Sequence, residues 1–213
     1  MITENKKHTT DHFDVAILGG GLAGLTLARQ LLRKHPDLKI AITEKQVFPV
    51  SETTHKVGES TVEIGAHYFG ERLGLKKHLI DHQLPKFGLR FFFKDAFQAL
   101  EEGTEVGGST FFSAPSYQVD RGRLENHLAE SDIAAGAAIF DGTQVREVIL
   151  DSSENGTKET NHQITFVRDG SLQTITSKWI VDASGRAAFI RRKLNLDEDL
   201  GHDINATWFR IDA

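Results

Sequence analysis

The sequence predicts an α/β fold, a parallel sheet flanked by helices and followed by a three-stranded antiparallel meander. Three observations predict it. A short apolar run, Phe13 to Leu18, leads into Gly19-Gly20-Gly21-Leu22-Ala23-Gly24 and then into residues at helical spacing. A second apolar run, Lys39 to Thr43, ends at Glu44, twenty residues past Gly24. Beyond Ala137 the pattern changes to alternating and β-branched segments separated by polar turns.

The first unit carries the clearest chemistry. Residues 13–18 read as one buried strand, and the glycines after it fit G-x-G-x-x-G. Gly19 allows a tight turn, Gly21 lets a pyrophosphate approach the backbone, and Gly24 lets helix and strand pack closely. Leu25, Ala28 and Leu32 give the helix an apolar face, Arg33 and Lys34 suit its last turn, and Pro36 stops it. The helix start offers unbonded N–H groups and a partial positive charge to phosphates. Glu44 stands where a carboxylate accepts hydrogen bonds from ribose hydroxyls. Strand, glycines, helix, strand and acid in that order predict dinucleotide binding; a Gly-rich turn in another α/β protein is the plainer alternative.

Residues 46–57 form a predicted loop. Ser60 with Glu63 makes a capping box, so a helix is expected to start there, with Val62, Ala66, Phe69 and Leu73 on one face and Gly74 at its end. Gly58-Glu59-Ser60 then reads either as a plain cap or as a cradle of N–H groups and a hydroxyl. A second short helix is expected over 75–82, and an aromatic strand over 86–93. Phe91, Phe92 and Phe93 cannot share one side of a strand, so both faces are expected to be covered, by core or by a ligand cavity. Lys86 at its edge is either a solvated lysine or a site residue. Residues 95–108 are expected to form an irregular acidic excursion, with short strands over 109–114 and 116–119.

Asp120 can cap a helix carrying Leu124 and Leu128. Arg121 and Arg123 in its first turn oppose the helix dipole, which favours an anionic neighbour such as a phosphate, while at least one of the two reads as a solvated arginine. A short strand follows over 138–140. Residues 143–150, 163–168 and 172–176 form the expected meander, with Asp169-Gly170 as a hairpin turn. A separate strand is expected over 178–182, ending in Asp182-Ala183-Ser184-Gly185-Arg186, where open α/β sheets collect ligands. A basic helix over 186–193 and a strand over 206–211 complete the reading.

Composition narrows the options. The 213 residues can bury a substantial core. Acidic residues outnumber basic ones by 30 to 25, which argues against nucleic acid as a partner. With no cysteine, disulfides, thiolate metal sites and cysteine nucleophiles are excluded, and no metal is expected. Residues 1–12 are polar and read as a tail, no apolar run reaches membrane-spanning length, and a cytoplasmic location is expected.

This order of elements resembles the FAD-binding half of the glutathione-reductase-like flavoproteins, in the branch of aromatic hydroxylases, geranylgeranyl reductases and flavin-dependent halogenases. The resemblance implies a Rossmann-like FAD-binding fold over 13–213, with part of a substrate-domain sheet at about 75–119 and 203–213. It implies FAD contacts from Gly19, Gly21, Leu22, Ala23, Gly24, Glu44 and Lys45. Arg121 matches the family's Val-Asp-Arg arginine, Val145 the meander residue beside the adenine, and Asp182 and Gly185 the Asp-x-x-Gly element near the pyrophosphate.

Val57-Gly58-Glu59-Ser60 is similar to the segment that straps over the flavin in halogenases, which brings in Gly58 and Ser60. Lys86, in Pro85-Lys86-Phe87-Gly88 and 27 residues past Glu59, matches their essential lysine. Such enzymes use reduced FAD and O2, deliver hypohalous acid to a small organic substrate by way of the lysine, and draw on a separate flavin reductase. The Trp-x-Trp-x-Ile-Pro signature is absent, with at most an echo in Trp208-Phe209, and the late Gly-Asp motif is missing. The resemblance covers about the first half of a usual member, so an open apolar surface and self-association are expected. A geranylgeranyl-reductase-type flavoprotein and an FAD- or ADP-binding remnant without turnover stay open as alternatives. The meander and Asp182-Ala183-Ser184-Gly185 disfavour a nicotinamide dehydrogenase.

Overall fold

The computed structural model describes residues 11–52, 58–95, 97–151, 161–198 and 201. The chain opens with β1 (Asp11–Leu18), α1 (Leu22–Lys34) and β2 (Ile40–Thr43). Next come α2 (Glu63–His67), which runs on into a π-helical turn at Tyr68–Arg72, and α3 (Lys76–His82). Four short strands follow, β3 (Leu84–Pro85), β4 (Arg90–Phe93), β5 (Thr104–Gly107) and β6 (Tyr117–Gln118), before α4 (Arg121–Ala134). The last stretch is β7 (Ala138–Phe140), β8 (Gln144–Ile149), β9 (His162–Arg168), β10 (Ser171–Asp182) and α5 (Phe189–Lys193).

One six-stranded sheet, in the order β7-β2-β1-β10-β9-β8, organises these elements. β7, β2, β1 and β10 run parallel, and β10, β9 and β8 run antiparallel. Alternation along β1 divides its side chains between two cores. Val15 and Ile17 join Leu25, Ala28 and Leu32 of α1 and Leu124 and Leu128 of α4. Ala16 and Leu18, with Ala41, face Val148, Ile164, Phe166 and Ile175 of the meander. Small residues on the parallel strands make room there for Phe166, which is fully buried. Truncating a buried leucine such as Leu25 is expected to cost about 2–5 kcal/mol.

Several expectations change. β1 starts at Asp11, paired with Ile175, so the predicted tail loses its last two residues to the sheet. The third meander strand and the strand at 178–182 are one twelve-residue strand, β10. It lies between β9 and β1 in the one sheet: its first part pairs with β9, its later part with β1, and residues 175–177 pair with both. The helix expected at Ser60 starts at Glu63 with Val62 as N-cap, and no side chain caps it. Ser60 bridges to Gln118 instead, and Val62 is exposed. The predicted aromatic strand shrinks to β4, and the acidic excursion contains β5, its antiparallel partner. Phe91, Phe92 and Phe93 are 53%, 46% and 63% exposed, so neither face is covered by the described residues. Residues 109–114 form no strand, and the basic helix over 186–193 divides into a 3-10 turn at Gly185–Ala187 and α5. The strand expected at 206–211, with Trp208 and Phe209, lies outside the described residues, as does Val57.

Candidate functional site

The glycine turn sits where β1 and β2 end, and each glycine in it has a distinct reason. Gly19 has φ +113°, and a Cβ there would run into the carbonyl of Ala183, which itself continues the sheet by donating its amide to Leu18 O at 2.9 Å. A Cβ on Gly24 would collide with the carbonyl oxygen of Gly19. Gly21 is the opposite case, since a Cβ there meets no protein atom within 4 Å. It is also the N-cap of α1, where no side chain caps the helix and no acid lies in the first turn. The amides of Leu22 and Ala23 therefore open the helix with its positive end beside unoccupied volume. Among the described residues no side chain caps this end and no acid lies in its first turn, and a pyrophosphate fits it.

Glu44 closes the turn from the side. Its Oε2 accepts the Gly20 amide at 2.7 Å and its Oε1 the Gln46 amide at 2.9 Å. A carboxylate has about four lone-pair directions, so acceptor capacity remains for ribose hydroxyls. Lys45 beside it is exposed. Asp182 at the end of β10 faces inward. It accepts Ser184 N at 3.1 Å, Ser184 Oγ at 2.5 Å, Ile190 N at 2.8 Å and Arg191 N at 3.4 Å. Burial pushes this carboxyl up, but the Ser184 hydroxyl and the Ser184, Ile190 and Arg191 amides outweigh it and hold the group below the usual range. Asp182 thus shapes the loop that presents Gly185, whose φ is +61° and whose α-carbon faces open space. Gly19, Gly21, Gly24, Glu44, Asp182 and Gly185 are brought together at the carboxyl ends of β1, β2 and β10. Val145 is placed elsewhere, on β8 opposite Phe166, half-buried and packed into the meander core.

A second cluster forms around β6. The strap segment lies along one side of it, with Thr61 N donating to Tyr117 O at 2.8 Å and Val119 N to Glu59 O at 2.6 Å. β3 lies on the other side, and Lys86 N donates to Ser116 O at 2.8 Å. Across this arrangement the half-buried Lys86 reaches back, and its ammonium donates to Thr61 O at 3.0 Å. Strap and lysine, 25 residues apart at that bond, are neighbours through tertiary structure.

Arg121 lies under the strap. Its Nη1 is 3.7 Å from where a Gly58 Cβ would stand, Gly58 having φ +90°, and its Nη2 donates to Glu125 Oε1 at 2.5 Å. Glu125 is 1% exposed, so a carboxylate of the same helix is the anion beside this first-turn arginine. Arg123 pairs with Glu52 at 2.8 Å on the surface. Sequence reasoning missed Thr61, which stood in the strap motif, and Gly122, where a Cβ would strike Ser51 O and separate α4 from the loop after β2. Among the described residues no helix is long and apolar enough to cross a membrane, and no group of three metal-ligating side chains occurs.

Residues 12–213 match the family model described as FAD binding domain. A flavin-dependent halogenase, chlA, of Dictyostelium discoideum is 33% identical over 94% of this chain. A 1H-pyrrole-2-carbonyl peptidyl-carrier protein chlorinase of Pseudomonas fluorescens is 30% identical over 89% of it. The chain spans 37% and 43% of the length of these two relatives. The solved structure of the myxobacterial chondrochloren halogenase CndH shares the fold, with a TM-score of 0.64 at 23% identity over 82% of this chain and 38% of that one. The open, uncapped turn at Gly21 is thus matched by family membership: the chain belongs to the FAD binding domain family, in the branch of the flavin-dependent halogenases and monooxygenases, and FAD is its cofactor.

Proposed function

We propose that the chain is the FAD-binding portion of a flavin-dependent halogenase acting on a small organic, aromatic substrate, with a separate flavin reductase as electron donor and a cytoplasmic location. Reduced FAD supplies the electrons that activate oxygen. Gly19, Gly21 and Gly24 hold the pyrophosphate against the start of α1, and Glu44 holds the ribose. Gly58 and Ser60 lie along the flavin, with Arg121 behind them, and residues 75–119 contribute to the substrate side. Lys86 carries the oxidised halogen to the substrate. A lysine suits that task, because its ammonium is a compact donor on a flexible stem.

The observation that carries the reading is the contact between Lys86 and the strap at Thr61 O. It unites two features that only the halogenase resemblance links, and it favours that reading over a geranylgeranyl-reductase-type protein, which has less use for the lysine. The exposure of Phe91, Phe92 and Phe93 favours a second reading, FAD binding without turnover by this chain alone.

Purified protein is supplied with FAD, a flavin reductase, NADH, bromide or chloride and an activated phenol, and halogen incorporation is read by mass spectrometry. Halide-dependent product lost in Lys86→Ala supports the halogenase reading. Stoichiometric FAD without product supports the second, and product in Lys86→Ala at the wild-type rate overturns the role of the lysine.

A further inference from the structure

Thr61 is 8% exposed and makes an unusual set of bonds to one residue. Its amide donates to Tyr117 O at 2.8 Å, its hydroxyl donates to the same oxygen at 3.0 Å, and that hydroxyl accepts the Tyr117 amide at 2.7 Å. Both backbone groups of Tyr117 are thereby taken by Thr61. A β-branched side chain has few χ1 choices, so a threonine closed on its partner at three points has its α-carbon and side chain fixed, and these are the frame from which its carbonyl projects. The carbonyl of that same residue receives the Lys86 ammonium. The other end of the lysine is tied next door, through Lys86 N to Ser116 O. Adjacent residues, Ser116 and Tyr117, therefore reference both the backbone of Lys86 and the acceptor of its ammonium.

We propose that Thr61 is a positioning residue for Lys86: its hydroxyl, locked on the backbone of Tyr117, aims the Thr61 carbonyl that holds the lysine ammonium in place. The proposal rests on the reading of Lys86 as the halogen-delivering group for its functional meaning, but not for its geometry. A lysine stem has many rotamers, and without an aimed acceptor the ammonium samples many positions. Serine at position 61 keeps the hydroxyl bonds. Valine keeps the shape and removes them.

Competitive acetylation of the FAD-loaded chain reads how freely the Lys86 nitrogen leaves its acceptor, with exposed Lys77 as internal reference and mass spectrometry as readout. Thr61→Val is expected to raise the labelling of Lys86 relative to Lys77 by about fivefold, the scale of one lost hydrogen bond, with Thr61→Ser at the wild-type ratio. A folded Thr61→Val with the wild-type ratio, or a Thr61→Ser that behaves as Thr61→Val does, overturns the proposal. A second measurement does not need the Thr61 variants. In Lys86→Met the Thr61 carbonyl carbon resonance is expected to move upfield as it loses its donor, and an unmoved resonance overturns the proposal. In the halogenation assay Thr61→Val is expected to lower kcat with KM unchanged and Thr61→Ser to restore it. If Lys86→Ala halogenates normally, the functional reading fails while the labelling and resonance results still decide the geometry.

Discussion

Glu44 accepts the amide of Gly20 at 2.7 Å, so the acid that follows β2 holds the glycine turn that follows β1. The same carboxylate takes the Gln46 amide, and a glutamine there would turn an N–H group toward one of the two donors. Glu44→Gln is therefore expected to weaken FAD binding about tenfold or more, the scale of a hydrogen bond to a charged group, with a small loss of thermal stability. Calorimetric titration with FAD checks it, and unchanged affinity would refute the role.

Gly21 and Gly24 are expected to separate binding from folding. Gly21→Val introduces a side chain where no protein atom lies within 4 Å, at an extended backbone of φ −80° and ψ −172° that valine tolerates. It should abolish FAD binding and leave the melting temperature near that of the wild type. Gly24→Ala drives a methyl into the Gly19 carbonyl, and is expected to cost about 1–3 kcal/mol in denaturant unfolding. A Gly21→Val protein that still binds FAD would place the pyrophosphate elsewhere.

Asp132 of α4 is fully buried, and neither carboxylate oxygen has a hydrogen-bond partner among the described residues. Burial raises its pKa from the ordinary 3.8 to about 7, against the opposing charge of Arg29. The folded state thus binds this proton more tightly than the unfolded chain does. Its contribution to stability is complete below about pH 4 and is lost as pH rises through about 7, a loss of up to roughly 4 kcal/mol. Asp132→Asn should be more stable than the wild type at pH 8 and close to it at pH 4, in urea unfolding at both values. A constant difference across that range would exclude titration of Asp132.

The β4–β5 hairpin offers its aromatic face to solvent, with Phe111 and Phe112 exposed as well. Apolar patches of this kind associate. Light scattering at tens of micromolar, a concentration typical of such association, is expected to give a mass above the monomer. Phe91→Ser/Phe93→Ser, which clears one side of β4, is expected to return it to the monomer. A monomeric wild type would count against self-association.

Much of the site is legible locally, because the requirements of the glycine turn are written within a few residues. Gly19, Gly21 and Gly24 each answer one steric demand, and Glu44 follows at the distance set by one helix and one strand. The strap and Lys86 are different. No spacing rule makes Thr61 O meet Lys86 Nζ, because the bond runs through β6, which comes some thirty residues after the lysine. The resemblance named both parts without predicting their contact. The aromatic run misled because alternation says which residues point apart, not what covers them. Ser60 misled because an antiparallel bridge to Gln118 outcompeted the capping box.

From the sequence alone came the α/β class, the dinucleotide turn, the buried first strand, and the hairpin at Asp169-Gly170. These depend on periodicity and on single residues with special backbone freedom. Only the tertiary structure joined the meander to the parallel sheet through the single strand β10, supplied Glu125 as the anion beside Arg121, and set Lys86 against the strap. Those outcomes follow from long-range pairing, in which each partner's choice depends on what the rest of the fold has already brought near.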